Sequence, residues 1–121
     1  MAKRVMVVDD SRVIHLQIQQ LLKDSDFEVA VCCRDGESAI EQYDAVQPDV
    51  VTMDIIMPGM DGLETARAIL EDHPDAKIVM VSSLAYDDAV NEARQLGAVG
   101  FIFKPFDREP LLAALEKALK A

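Results

Sequence analysis

Five short apolar runs, spread along the chain and separated by stretches of a different period, constrain its fold more than any other feature. The runs fall at residues 4–8 (RVMVV), 28–32 (EVAVC), 49–53 (DVVTM), 77–81 (KIVMV) and 99–103 (VGFIF). They are rich in β-branched residues, and three are almost continuously apolar, the pattern of strands covered on both faces. Between them, apolar residues recur at helical spacing. Val13, Ile14, Ile18, Leu21 and Leu22 mark a first helix, and Ala39, Ile40, Tyr43 and Val46 a second. Leu63, Ala66, Ile69 and Leu70 mark the third, Ala89, Val90, Ala93 and Leu96 the fourth, and Leu111, Leu112, Leu115 and Leu119 the fifth. Ser11 or Asp10 can cap the first helix and Gly97 can close the fourth. Turn signals stand at Asp35-Gly36, Pro58-Gly59, Asp61-Gly62 and Lys104-Pro105. Each parallel connection needs a crossover, so five strand–helix units in a row predict an α/β fold: a doubly wound, five-stranded parallel sheet with five helices on its two faces. The right-handedness of such crossovers leaves few topologies.

The elements occupy the whole chain, so residues 1–121 are read as one domain, a length sufficient for a true core. Half the residues are hydrophobic, which argues against disorder. Twelve Lys and Arg stand against 22 Asp and Glu, giving a net charge of −10. That balance speaks against nucleic-acid binding, which needs clustered cations, and against an anionic membrane surface. A metal ion or a basic partner suits it better. Cys32 and Cys33 are adjacent, too close at Cα for an ordinary disulfide, and read as reduced thiols. Lys3 and Arg4 precede only a short apolar run before Asp9, too brief for a signal peptide, and no run approaches a membrane span. A soluble, cytoplasmic protein is expected.

Ligands of open parallel α/β sheets bind outside the carboxyl ends of the strands. Asp9 and Asp10 follow the first strand, Asp54 the third, Ser82 and Ser83 the fourth, and Lys104 the fifth. If those four strands lie near one another, the groups face one crevice. Three carboxylates against one ammonium leave two net negative charges there, which one Mg²⁺ would neutralise with oxygen ligands. Such a site could stabilise a transferring phosphoryl group, with Asp54 as nucleophile. A lone Asp at a strand end is usually only a turn or helix cap. The combination of Asp-Asp, Asp, Ser and Lys-Pro at the ends of four strands argues for more than capping.

V-D-D at residues 8–10, M-D-I-I-M-P-G-M-D-G at 53–62, V-S-S at 81–83 and F-I-F-K-P-F at 101–106 together resemble the receiver domain of two-component response regulators. The resemblance runs from Lys3 to about Ala118 and is nearest to stand-alone chemotaxis regulators. It implies the strand order 2-1-3-4-5 of a flavodoxin-like fold. It also implies Asp54 as the phosphoacceptor, charged by a histidine kinase, a phosphotransfer protein or a small phosphodonor. Mg²⁺, with Mn²⁺ as a substitute, would be held by Asp10, Asp54 and the Ile56 carbonyl, with Asp9 helping through water. Lys104 would pair with the phosphoryl oxygens and the Ser82 hydroxyl would move to contact them, while Phe101 turns inward as the switch. The face of the fourth helix, fifth strand and fifth helix would then control a downstream protein target. A cis Lys104-Pro105 peptide, a monomer and no nucleic acid or membrane partner are the corresponding expectations, for a signalling module rather than an enzyme. Two departures stand out. Phe101 lacks the phenolic hydroxyl many members carry, and Ser82 replaces the commoner Thr, leaving the hydroxyl with a less fixed rotamer. In receivers, the positions two after the acceptor and two after the switch hydroxyl flank the hydrolytic water. Here they are Ile56 and Leu84, both apolar, which implies a slowly decaying phosphoryl group.

Three other readings compete. A flavodoxin would have to place an FMN phosphate against Asp9-Asp10, which would repel it. A metal-dependent aspartyl phosphatase wants Asp-x-Asp after its first strand, where this chain has Asp-Asp. A vestigial interaction module would not be expected to keep the full residue set. Gly59-x-x-Gly62 and Gly97-x-x-Gly100 lack the third glycine of a dinucleotide fingerprint, and there is no P-loop. His15 and His73 lack partners at metal-ligand spacing and read as packing or surface residues, and Met53, Met57 and Met60 as gap-fillers of the core.

Overall fold

A computed structural model of the chain describes residues 2–83 and 87–121. Five strands, β1 (Lys3–Val8), β2 (Phe27–Cys33), β3 (Val50–Asp54), β4 (Ile78–Ser82) and β5 (Gly100–Phe103), alternate with five helices. The helices are α1 (Arg12–Leu21), α2 (Gly36–Val46), α3 (Gly62–Asp72), α4 (Asp87–Leu96) and α5 (Arg108–Lys120). The strands form one parallel sheet in the order β2-β1-β3-β4-β5, as the resemblance implied. Every residue of β3 and β4 is buried, which explains why their sequences read as nearly continuous apolar runs.

Alternate strand residues feed two separate cores. Met6, Val8, Val51, Met53, Ile78 and Met80 pack with Ala39, Tyr43, Leu63, Ala66, Ile69 and Ala93, so α2, α3 and α4 cover one face. Val5, Val7, Val50, Val79 and Val81 pack with Ile18, Leu22, Leu111, Leu115 and Ala118, so α1 and α5 cover the other. The period of two along each strand thus sorts the side chains between layers.

The helix ends follow the turn signals only in part. Asp35 and Asp61 cap α2 and α3, their Oδ1 atoms accepting the Ser38 and Glu64 amides at 2.8 and 2.9 Å. Gly97 closes α4 with φ of 112°, a left-handed conformation that suits glycine. Ser11 does occupy the N-cap of α1, but its side chain makes no capping bond. Val13 is 72% exposed rather than part of the α1 stripe, because the helix turns its His15–Ile18–Leu22 line to the sheet. His15 supplies the buried place that Val13 was expected to take.

Candidate functional site

Neighbouring strands bring the ionisable residues to one edge of the sheet. Val8 of β1 pairs with Met53 of β3, so the next residues, Asp9 and Asp54, stand side by side. The Asp9 amide continues the ladder to Cys33 O at 3.0 Å, which anchors its backbone. Asp54 pairs in register with Val81, placing Ser82 one residue beyond it on β4, and Ser82 pairs with Phe103 on β5. Ser82 O accepts the Lys104 amide at 2.8 Å, so Lys104 emerges beside the same edge. The Lys104-Pro105 peptide that follows is cis.

The side chains converge accordingly. Lys104 Nζ lies 2.8 Å from Asp9 Oδ2 and 3.3 Å from Asp54 Oδ1, joining both carboxylates. Asp9 and Asp54 are buried, at 2% and 6% exposure, whereas Asp10 is exposed. Asp9 Oδ1 also accepts the Ser11 amide at 2.9 Å, so the first turn of α1 is held by Asp9 in place of the expected caps. Carboxylate oxygens of Asp9, Asp10 and Asp54 lie within 4.8 Å of one another, the only such group of metal-capable side chains among the described residues. An all-oxygen donor set with one exposed member fits a hard, partly hydrated cation such as Mg²⁺, and does not fit the nitrogen and sulfur preferences of zinc.

Burial pushes the Asp54 carboxyl up to about 6, and the neighbouring Asp9 charge adds to the rise, while Lys104 works against it. For Lys104 burial disfavours the ammonium, but the Asp9 hydrogen bond and the charges of Asp54 and Asp9 outweigh it and raise its pKa. Lys104 therefore stays charged while Asp54 is held near the edge of ionisation. A cation entering among the three carboxylates would relieve that cost.

The backbone around Asp54 is tightly packed. A Cβ on Gly62 would lie 1.9 Å from the Asp54 carbonyl oxygen, and the Gly62 amide donates to Ile55 O at 2.7 Å. The Asp61-Gly62 turn signal thus also marks a close approach of α3 to the end of β3. Ser82 is buried. Phe101 is half-buried, its ring 5.0 Å from that of Phe103, and lines a groove of about 420 Å³ with Val90, Arg94 and Lys117. Ile56 is 56% exposed in the loop after β3. Leu84 lies outside the described residues. The two histidines stay out of the crevice. His15 is buried on α1 with no partner for Nε2 among the described residues. His73 follows α3 at the far end of the sheet, its Nε2 2.5 Å from Asp44 Oδ1 and its ring tilted 45° against that of Tyr43.

A buried aspartate joined through a lysine to a second carboxylate, at the carboxyl edge of a 2-1-3-4-5 sheet, gives the molecule a flavodoxin-like fold with an acidic crevice. The chain belongs to the response regulator receiver domain family, which it matches over residues 5–116. It is 44% identical over 117 residues to the chemotaxis protein CheY of Listeria monocytogenes, covering 97% of this chain and 98% of that one. Among solved structures it is similar to the response regulator domain of Thermotoga maritima CheB, with a TM-score of 0.92 and 32% identity over 100% of this chain and 98% of that one. It is also similar to a chain of the CheX–CheY–BeF3–Mg²⁺ complex of Borrelia burgdorferi, with a TM-score of 0.90, 34% identity, and 93% and 86% coverage. Among the described residues, no helix is long and apolar enough to cross a membrane.

Proposed function

We propose that the chain is a phosphoacceptor signalling module that takes a phosphoryl group on Asp54. The observation that carries this reading is the ion-paired geometry: Lys104 Nζ touches both Asp54 and Asp9, with a third carboxylate, Asp10, beside them. Asp54, ionised, supplies the attacking oxygen. Lys104 is placed to follow the phosphoryl oxygens as they arrive, because its ammonium already sits on the acceptor. Mg²⁺, or Mn²⁺ in its place, would be held by Asp9, Asp10, Asp54 and the Ile56 carbonyl, and would supply charge neutralisation for the incoming anion. The similar chain in the CheX–CheY complex of Borrelia burgdorferi was solved with BeF3 and Mg²⁺, which supports this choice of ion.

The signal would leave through the face of α4, β5 and α5. Ser82, at the end of β4, is drawn toward the phosphoryl group, and Phe101 turns from the groove into the space this opens. The likeness to proteins named for chemotaxis supports a partner role of that type: phosphate received from a histidine kinase or phosphotransfer protein, and a downstream protein target. In this reading the chain acts in the cytoplasm as a monomer and catalyses no turnover on other substrates.

One experiment tests the acceptor and the switch together. Treated with acetyl phosphate and Mg²⁺, wild type should gain one phosphoryl mass, and Asp54→Asn or added EDTA should abolish the gain. Ser82→Ala should still be labelled but show much smaller amide NMR shifts over residues 89–103. Equal labelling of wild type and Asp54→Asn overturns the acceptor assignment, and full-size shifts in Ser82→Ala overturn the switch.

A further inference from the structure

Adjoining the carboxylate cluster through Asp10, a cleft of about 620 Å³ is lined by Asp10, Arg34, Asp35, Gly36, Glu37, Pro58, Gly59 and Met60. Its size is that of a small-molecule site. Asp10 belongs both to this cleft and to the carboxylate cluster around Asp54, so the cleft borders the proposed reacting centre. Arg34, immediately after β2, is its only cationic lining residue. Three carboxylates share the cleft, yet no hydrogen bond or ion pair engages the Arg34 guanidinium among the described residues. Asp35 is committed elsewhere, as the cap of α2. Lys104, the cation nearest the acceptor, is occupied by Asp9 and Asp54. The guanidinium is therefore a free, fork-shaped donor at the mouth of a strongly anionic site.

We propose that Arg34 receives the leaving group of a small acyl phosphate, making this chain selective for donors that depart as carboxylates. The inference rests on Asp54 as the acceptor. In the transfer, an Asp54 carboxylate oxygen bonds to phosphorus as the bond from phosphorus to the acyl oxygen breaks. The electron pair leaves with that oxygen, so the donor departs as a carboxylate anion and no proton is required. A carboxylate is the partner a guanidinium fork binds best, through two parallel hydrogen bonds. Without Arg34, the departing anion would face only Asp10, Asp35 and Glu37. A donor whose leaving group departs neutral gains nothing from the fork.

The test compares initial labelling rates, read by intact mass, for acetyl phosphate and for phosphoramidate, which departs as ammonia. Arg34→Ala should slow labelling by acetyl phosphate about fivefold or more, the order expected for losing a charge-assisted hydrogen bond. It should leave the phosphoramidate rate nearly unchanged. Arg34→Lys should fall between, since an ammonium keeps the charge but loses the fork. Because both donors act on the same folded protein, the phosphoramidate rate also reports the integrity of each variant. Equal slowing with both donors, or no slowing with either, overturns the role of Arg34 while the acceptor reading stands. Failure of wild type to be labelled by either donor overturns both.

Discussion

As the proposed nucleophile, Asp54 carries two demands that oppose each other. A nucleophile has to be ionised, and a carboxylate buried beside Asp9 resists ionisation, so its pKa rises to about 6. The consequence for stability has a definite sign. In the unfolded chain an Asp loses its proton near pH 4, so between about pH 4 and 6 the folded state binds more protons than the unfolded one. Stability from this residue is fully present below that window and is lost as pH rises through it. Asp54→Asn removes the ionisation and with it the loss. In EDTA at pH 7.5, the Asn variant should be more stable than wild type by on the order of 1–3 kcal/mol, with the gap closing as pH falls toward 4. Urea unfolding followed by circular dichroism measures it, and a gap independent of pH would remove the penalty assigned to Asp54.

At the scale of the elements, the join between β3 and α3 sets the backbone of Asp54. Gly62 opens α3 with the Asp54 carbonyl oxygen 1.9 Å from where a Cβ would sit, and backbone cannot swing aside as a long side chain does. Gly62→Ala should therefore cost about 2–3 kcal/mol or more by urea unfolding, the range of overpacked sites. Gly59, in the same loop, has φ of 75° and nothing within 4 Å of its ideal Cβ. Gly59→Ala should cost only about 1 kcal/mol, from backbone strain alone. Similar losses for the two would contradict the close approach. This contrast also shows what the sequence could reveal. Two glycines beside Pro58 and Asp61 read alike as turn signals, because sequence records the residue and not the atom that comes near it. The strands were legible to within about one residue, since period and β-branching are local properties. The placement of Val13 outside the α1 stripe was not, because a short helix can rotate until one polar residue, His15, enters the core. Nor was the shift in β1–β2 pairing between Val5 and Met6, which depends on both strands at once. The ends of the strands named Asp9, Asp54, Ser82 and Lys104. Their convergence needed the strand order, which only the resemblance supplied. Arg34 was missed because a lone arginine in a turn carries no motif, and its meaning lies in the cleft it shares with Asp10.

Across the whole molecule the charge of −10 and the carboxylate cluster act on stability through different ranges. General repulsion among surface carboxylates weakens as any salt shortens the Debye length, whereas the cluster responds to an ion small and charged enough to sit among its oxygens. Binding to the folded state alone stabilises it by mass action, by about 2.7 kcal/mol at a hundredfold excess over the dissociation constant. Mg²⁺ should therefore raise the melting temperature above the value in NaCl of matched ionic strength. The two salts should differ little for a variant unable to hold the ion. Asp10→Asn provides that variant, because Asp10 is exposed and makes no structural ion pair among the described residues, so the fold should survive its loss. In metal-free buffer its melting temperature should lie close to that of wild type, and most of the Mg²⁺ surplus should vanish. A calorimetric scan in the two salts separates the contributions directly. If the surplus persists in Asp10→Asn, the ion is held somewhere other than among Asp9, Asp10 and Asp54; if wild type shows no surplus, the penalty of crowding three carboxylates is met by Lys104 alone.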